Sequence, residues 1–135
     1  MLYPPHAVRL FDHLSPEFTC DLETLKAAIA AARTFSVIHT ASLYKVVIIV
    51  RADREYEVEK FERRRQTDIA GQAMWVISPE DLVLSKLAWA KDSRSELQFR
   101  DVRSIIALQP SLDWSYMNRW AQRLTVATLL AEVRS

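Results

Sequence analysis

Hydrophobic positions recur at helical spacing near the start of the chain. Between Pro5 and Leu14 the apolar residues Ala7, Leu10, Phe11 and Leu14 line one side of a helix. Asp21, a good N-cap, then precedes "LETLKAAIAAAR", rich in Ala and Leu, the strongest helix formers. The pattern changes at "TFSVIHTA" and "YKVVIIV", two β-branched runs divided by a short polar turn, which predict an antiparallel hairpin. Phe35, Val37 and His39 alternate with Ser36, Ile38 and Thr40, as in a half-buried strand. Val46 to Val50 is apolar on both faces, the pattern of a central strand.

"DREYEVEKFERRRQ" predicts an exposed helix with acids early and Arg63, Arg64 and Arg65 at its end, where the helix dipole favours cations. "TDIAGQAMWVIS" predicts one or two short strands around Gly71. In "VISPEDLVLSKLAWAK", Ser78 is the N-cap of a helix, Pro79 its first residue, and Asp81 stands three residues after the cap. Ser95 and Asp113 cap two further helices, and Thr125 the last. These elements predict an α+β protein: a small mixed or antiparallel sheet flanked by helices, with a helical C-terminal subdomain. Residues 1–135 are read as one domain, α/β over 1–77 and helical over 78–135.

Composition narrows the class. The chain has 135 residues, half of them hydrophobic and about a quarter charged, which suits one globular domain rather than a disordered or fibrous chain. Cys20 is the only cysteine, so an internal disulfide and a zinc ribbon are excluded. No apolar run reaches the ~18 residues of a membrane span, and "MLYPPHAVRL" lacks the apolar core of a secretory signal, so a cytoplasmic protein without membrane partners is expected. A net charge of +1 supplies no global field toward nucleic acid, which is therefore not an expected partner.

Polar residues in the last part are unusually placed. Lys86 shares a helical face with Leu82, Val83, Trp89 and Ala90, so its ammonium emerges from apolar surroundings. Asp101 stands four residues from both Leu97 and Ile105, inside the stripe expected to face the core, where an unpaired carboxylate would cost several kcal/mol. Lys86 or Arg100 is the expected partner, either as an ion pair joining two helices or as part of a cleft that meets a phosphate or ribose. Arg63, Arg64 and Arg65 form a weaker phosphate candidate, since a basic helix end is more often a solvated terminus. His6, His13 and His39 lack metal-ligand spacing, and His39 reads as a structural histidine on a half-buried strand. One glycine in the whole chain leaves no glycine-rich phosphate loop. Trp75, Trp89, Trp114 and Trp120 fall at helix or strand spacing and read as core.

The order of these elements carries a resemblance. "FSVIHTASLYKVVIIV", the helix ending "FERRR", then "AMWVISPEDLVLSKLAWAK" and "RDVRSIIALQPSLDWSYMNRWAQRL" together resemble a bacterial group of polymerase-beta-type nucleotidyltransferase-like proteins, distantly similar to the abortive-infection toxin nucleotidyltransferases. The resemblance spans nearly the whole chain, and its most specific motifs are "SPEDLVLSKL" and "FRDV". It implies a Gly-Ser turn and an Asp-x-Asp strand that hold magnesium and a nucleoside triphosphate, with a third carboxylate on the strand matching "YKVVIIV". A lysine and an Arg-Asp pair in the helical part assist. Lys86 matches that lysine, and Arg100 with Asp101 match the pair; with Lys45 they are the candidate nucleotide- or phosphate-binding residues.

The departures from the family pattern bear on activity. Such proteins usually read Lys-Val-Asp on the third-carboxylate strand, whereas here Lys45-Val46 is followed by Val47. "PPHAVRLFDHLSPEF" resembles the helix that follows the Asp-x-Asp strand, so the expectation is a chain that starts downstream of its own metal site. Two-metal nucleotidyl transfer depends on carboxylates that clamp both ions. The expectation is therefore a degenerate, non-catalytic nucleotidyltransferase-like module without catalytic residues, metal site or cofactor, its ligand unspecified and a nucleotide possible. Missing strands would leave an apolar edge to be hidden, so a homodimer through sheet edges or the uncovered face is expected. The alternative is a split or mis-started, toxin-like nucleotidyltransferase, whose magnesium-binding strands come from another chain or an upstream segment. A third reading, a toxin or antitoxin partner acting on RNA, rests on family analogy alone.

Overall fold

A computed structural model describes residues 5–134. Met1–Pro4, part of the segment read for a leader, lie outside the described residues. The protein is α+β, as the pattern predicts, with seven helices and two small antiparallel sheets among the described residues. None of the helices described is long and apolar enough to cross a membrane. The chain divides into two compact units, Met1–Val58 and Glu59–Ser135.

The first unit runs α1 (His6–Leu14), β1 (Phe18–Thr19), α2 (Leu22–Ala30), β2 (Thr34–His39) and β3 (Lys45–Ile49). Asp21 caps α2 as expected, its carboxylate accepting from the Thr24 N–H at 2.7 Å. That bond to the charged form holds the Asp21 carboxyl below its usual value. The strands lie in the order β1-β2-β3, and the predicted hairpin pairs Phe35 with Ile48 and Val37 with Val46. One sheet face packs with α1 and α2 around Ala7, Leu25, Ile29, Phe35 and Val37, while half-buried Ile48 packs against this core. His39 is half-buried, accepts or donates at 2.6 Å with the Ser42 hydroxyl and meets the Phe18 ring edge-on, the structural role its strand position implied.

β3 departs from its expected place. It is the edge of the sheet rather than its centre, and Val46, Val47 and Ile49 are exposed. An apolar run on both faces favours burial but does not supply the neighbours that would bury it; those are a tertiary matter.

Helix α3 (Glu55–Glu62) spans the division between the units. It ends earlier than the sequence implied: Arg63 and Arg64 follow it, and Arg65 opens β4 (Arg65–Ile69). β4 pairs with β5 (Gln72–Val76) through a two-residue turn. Ala70 (φ 53°) and Gly71 (φ 80°) both take the left-handed conformation that such a turn requires, and the Gly71 N–H donates to Asp68 at 2.9 Å. The division at 58/59 groups this hairpin with the helices, whereas the sequence boundary at 77/78 joined it to the first sheet. Strand propensity is local and does not specify which sheet a strand joins.

Four helices complete the second unit: α4 (Pro79–Ser93), α5 (Glu96–Leu108), α6 (Trp114–Arg123) and α7 (Ala127–Arg134). α4 packs against α5, α6 and α7, burying Val83, Leu84, Leu87 and Ala90. Thr125 does not cap α7. It takes φ 58° and closes α6, while Val126 donates back to Ala121, a Schellman ending that leaves Val126 to receive the first α7 hydrogen bond. Of the four tryptophans read as core, Trp120 is buried and Trp114 half-buried, but Trp75 (60% exposed) and Trp89 (56%) face solvent. Trp89 stands on α4 one step away from the buried stripe, where spacing alone does not discriminate, and Trp75 stands on β5, which is exposed except for half-buried Val76.

Leu84 is fully buried at the centre of the helical unit. Leu84→Ala is expected to lower stability by about 2–5 kcal/mol, read from the urea unfolding midpoint.

Candidate functional site

The polar side chains of the second unit gather at two places on α4. The first is its N-terminus. Ser78 is the N-cap in extended conformation, and Pro79 has no N–H to leave unsatisfied. The Ser78 hydroxyl accepts from the Asp81 N–H at 3.2 Å and donates to Asp81 Oδ2 at 2.7 Å. The Asp81 carboxylate, fully buried, also accepts from the Tyr116 hydroxyl on Oδ1 at 2.6 Å and from Arg63 Nε on Oδ2 at 3.3 Å. Arg63 sits over the Tyr116 ring, its guanidinium carbon 3.7 Å from the ring centre. Serine, arginine and tyrosine thus compensate the desolvation of one carboxylate.

Glu80, 2% exposed, stands beside this group. Its Oε1 accepts from the Asp113 N–H at 3.2 Å, while Oε2 has no hydrogen-bond donor and faces Arg63 at 3.7 Å and Arg65 at 3.8 Å. Burial acts to raise the Glu80 pKa. The Glu80 and Asp113 N–H groups, the Ser78 hydroxyl and the Arg65 charge outweigh it and hold the carboxyl below its usual value. Asp113 caps α6 through the Tyr116 N–H at 2.9 Å, so one corner joins the starts of α4 and α6.

The second place is midway along α4. Lys86 Nζ donates to Asp101 Oδ2 at 2.8 Å and to Gln98 Oε1 at 3.2 Å, linking α4 to α5 across the left-handed turn at Arg94. The hydrogen bond from Lys86 is the largest influence lowering the Asp101 pKa; some burial opposes it, and the Lys86 and Arg100 charges reinforce it. The buried stripe of α5 is Phe99 and Val102, while Leu97 is exposed, so Asp101 lies at the margin of the stripe rather than inside it. The carboxylate is 39% exposed, so solvent screens the pair and it adds little to stability.

Of the residues singled out in the sequence, Lys86 and Asp101 meet, and Arg100 is exposed beside them on α5. Lys45 belongs to the other unit, at the exposed start of β3. The three arginines diverge: Arg63 holds Asp81, Arg64 stacks on Phe61 and donates to its carbonyl, and Arg65 faces Glu80. Only part of the run is therefore the solvated terminus that a basic helix end implies. Glu80 and Tyr116 were missed, and Asp81 was read only as the residue three after the Ser78 cap. The available signal was Glu80 in register with Val83, Leu84 and Leu87, a carboxylate on the buried face of its own helix. Among the described residues no three His, Cys, Asp or Glu side chains gather as a metal-holding group. No family model, curated protein or solved structure matches the chain.

Tyr116→Phe removes one donor from a buried carboxylate and is expected to cost about 1–3 kcal/mol in urea unfolding. Glu80, with its pKa lowered in the fold, binds its proton less readily there than in the unfolded chain. Its contribution is complete above the usual value of 4.5 and is lost as pH falls below it. Glu80→Gln is therefore expected to flatten the dependence of the urea midpoint on pH below 4.5 and to leave its slope above pH 6 unchanged.

Proposed function

We propose that this chain is a cytoplasmic, non-catalytic module of nucleotidyltransferase ancestry that works by binding a partner. Val47 carries the reading. In the proteins that the chain resembles, the strand matching β3 bears a carboxylate at this position, and an isopropyl group gives a divalent cation no oxygen. The Val47 side chain is 52% exposed on the open face of an edge strand, a place suited to contact with another surface.

The helical part supports the same reading. Lys86, which matches the assisting lysine of the family, directs its ammonium to Asp101 and Gln98. In this role it ties α4 to α5, and a nucleotide phosphate would have to displace two acceptors to reach it. The carboxylates at the start of α4 are likewise engaged by Arg63, Tyr116 and Ser78.

Two measurements test the proposal. Calorimetric titration with ATP and CTP in magnesium buffer is expected to give no heat of binding, and incubation with α-labelled nucleoside triphosphates and total tRNA to give no transferred label. Label transfer, or nucleotide binding that disappears in Lys86→Ala, overturns it in favour of an enzyme completed by strands from elsewhere.

A further inference from the structure

The free edge of β3 has a hydrogen-bonding register that can be worked out residue by residue. The His39 N–H donates across the hairpin to the Tyr44 carbonyl at 2.9 Å. In an antiparallel ladder, facing pairs alternate between exchanging hydrogen bonds and not doing so. With Val37 opposite Val46 and Phe35 opposite Ile48, Val46 and Ile48 therefore turn their backbone groups toward β2. Lys45, Val47 and Ile49 turn theirs away, and among the described residues no strand pairs with that side.

The same three residues share the outer sheet face, where Val47 and Ile49 are 52% and 56% exposed and Ile38 lies beside Lys45. An edge strand is normally shielded by a proline, a bulge, a charged side chain, lysine above all, or a covering element. The sequence Lys-Val-Val-Ile-Ile has no proline, its pairing with β2 runs without a bulge, and its one charge, Lys45, stands at the first residue of the strand.

We infer that this edge pairs with the β3 of a second copy of the chain, antiparallel, with the two-fold axis at Val47. The inference rests on the reading of the chain as an interaction module and names its partner. β3 is self-complementary in this register: Val47 faces its own mate, and Lys45 of each copy faces Ile49 of the other. All three outward N–H and C=O sets are then satisfied. Val46, 41% exposed, comes to lie opposite the second copy's Ile48, next to the core face. On the outer face the Lys45 methylenes cover Ile49 and leave the ammonium in water.

Neighbouring registers fit less well. An axis at Ile48 sets Lys45 against Arg51 of the other copy, a like-charge opposition that destabilises a cross-strand pair. An axis at Val46 runs Ile49 past the start of the strand, against Leu43 in the turn. The result in the Val47 register is one six-stranded sheet, β1-β2-β3 followed by its symmetry mate. A five-residue edge buries less than the ~1,600 Å² of a standard interface, so the dimer is weak and concentration-dependent.

Sedimentation velocity of the full chain, from about 1 to 200 µM, is expected to show a reversible monomer–dimer equilibrium. Because the Val47 N–H points away from β2, Val47→Pro removes an intermolecular donor and spares the hairpin. It is expected to weaken association at least tenfold with an unchanged circular dichroism spectrum. Val47→Lys, which keeps the backbone donor and sets two cations face to face, is expected to do the same if the proline variant does not fold. A spin label at position 47, in Val47→Cys with Cys20→Ser, is expected to show strong dipolar broadening in the dimer, since facing residues lie ~5.5 Å apart.

A monomer at all concentrations, a dimer unaffected by both Val47 variants, or labels more than about 20 Å apart, well beyond facing-strand distance, would overturn the pairing. Label transfer from nucleotides bears only on the non-catalytic reading, so the two ideas fail separately.

Discussion

A carboxylate withdrawn from water destabilises a fold unless donors are already in place around it. Asp81 is such a carboxylate, fully buried at the first turn of α4, and much of the second unit is arranged to meet its demand. Ser78 reaches it from the cap, Arg63 from the segment after α3, and Tyr116 from α6. Those three residues come from separate places in the chain, so the one group specifies how the helices start relative to each other. Glu80 extends the same constraint to Asp113, and through it to the cap of α6. The apolar contacts of Val83, Leu84 and Leu87 supply most of the favourable free energy. They do so without direction, and the carboxylates contribute the direction.

The first unit obeys the opposite logic. Its core is made of aliphatic and aromatic residues on one face of a three-stranded sheet, and among the described residues no buried charge orients it. Register comes instead from the hairpin, where alternation sends Phe35 and Val37 inward. What this economy leaves over is the outer face and free edge of β3. Val46, Val47 and Ile49 are exposed there, apolar side chains on the outer strand of the sheet.

Elements with a strong local signal were legible. The helix behind Ser78 and Pro79, the caps at Asp21 and Asp113, the hairpin from Thr34 to Ile49 and the turn at Gly71 all follow from side-chain chemistry within a few residues. The Lys86–Asp101 pair was legible too, because two charges on half-apolar helix faces have few ways to be satisfied. Thr125 was misread because a threonine between two helices suits the end of one as well as the start of the next. The choice depended on the closing bond from Val126 to Ala121. The role of Arg63 was hidden in a run of three arginines, which as sequence are equivalent and in space go three ways.

By itself the sequence determined an α+β chain with a helical second half, the identity of most caps, and the absence of an acid at Val47. These depend on propensity, periodicity and residue chemistry, all of which act over a turn or two of chain. Only the tertiary structure decided that β3 is an edge, that Trp75 and Trp89 face water, and that Asp81 and Glu80 are buried beneath arginines and a tyrosine. Each of those outcomes depends on which distant segments arrive at a surface and withdraw it from water, and solvation of that kind is a property of the assembled fold.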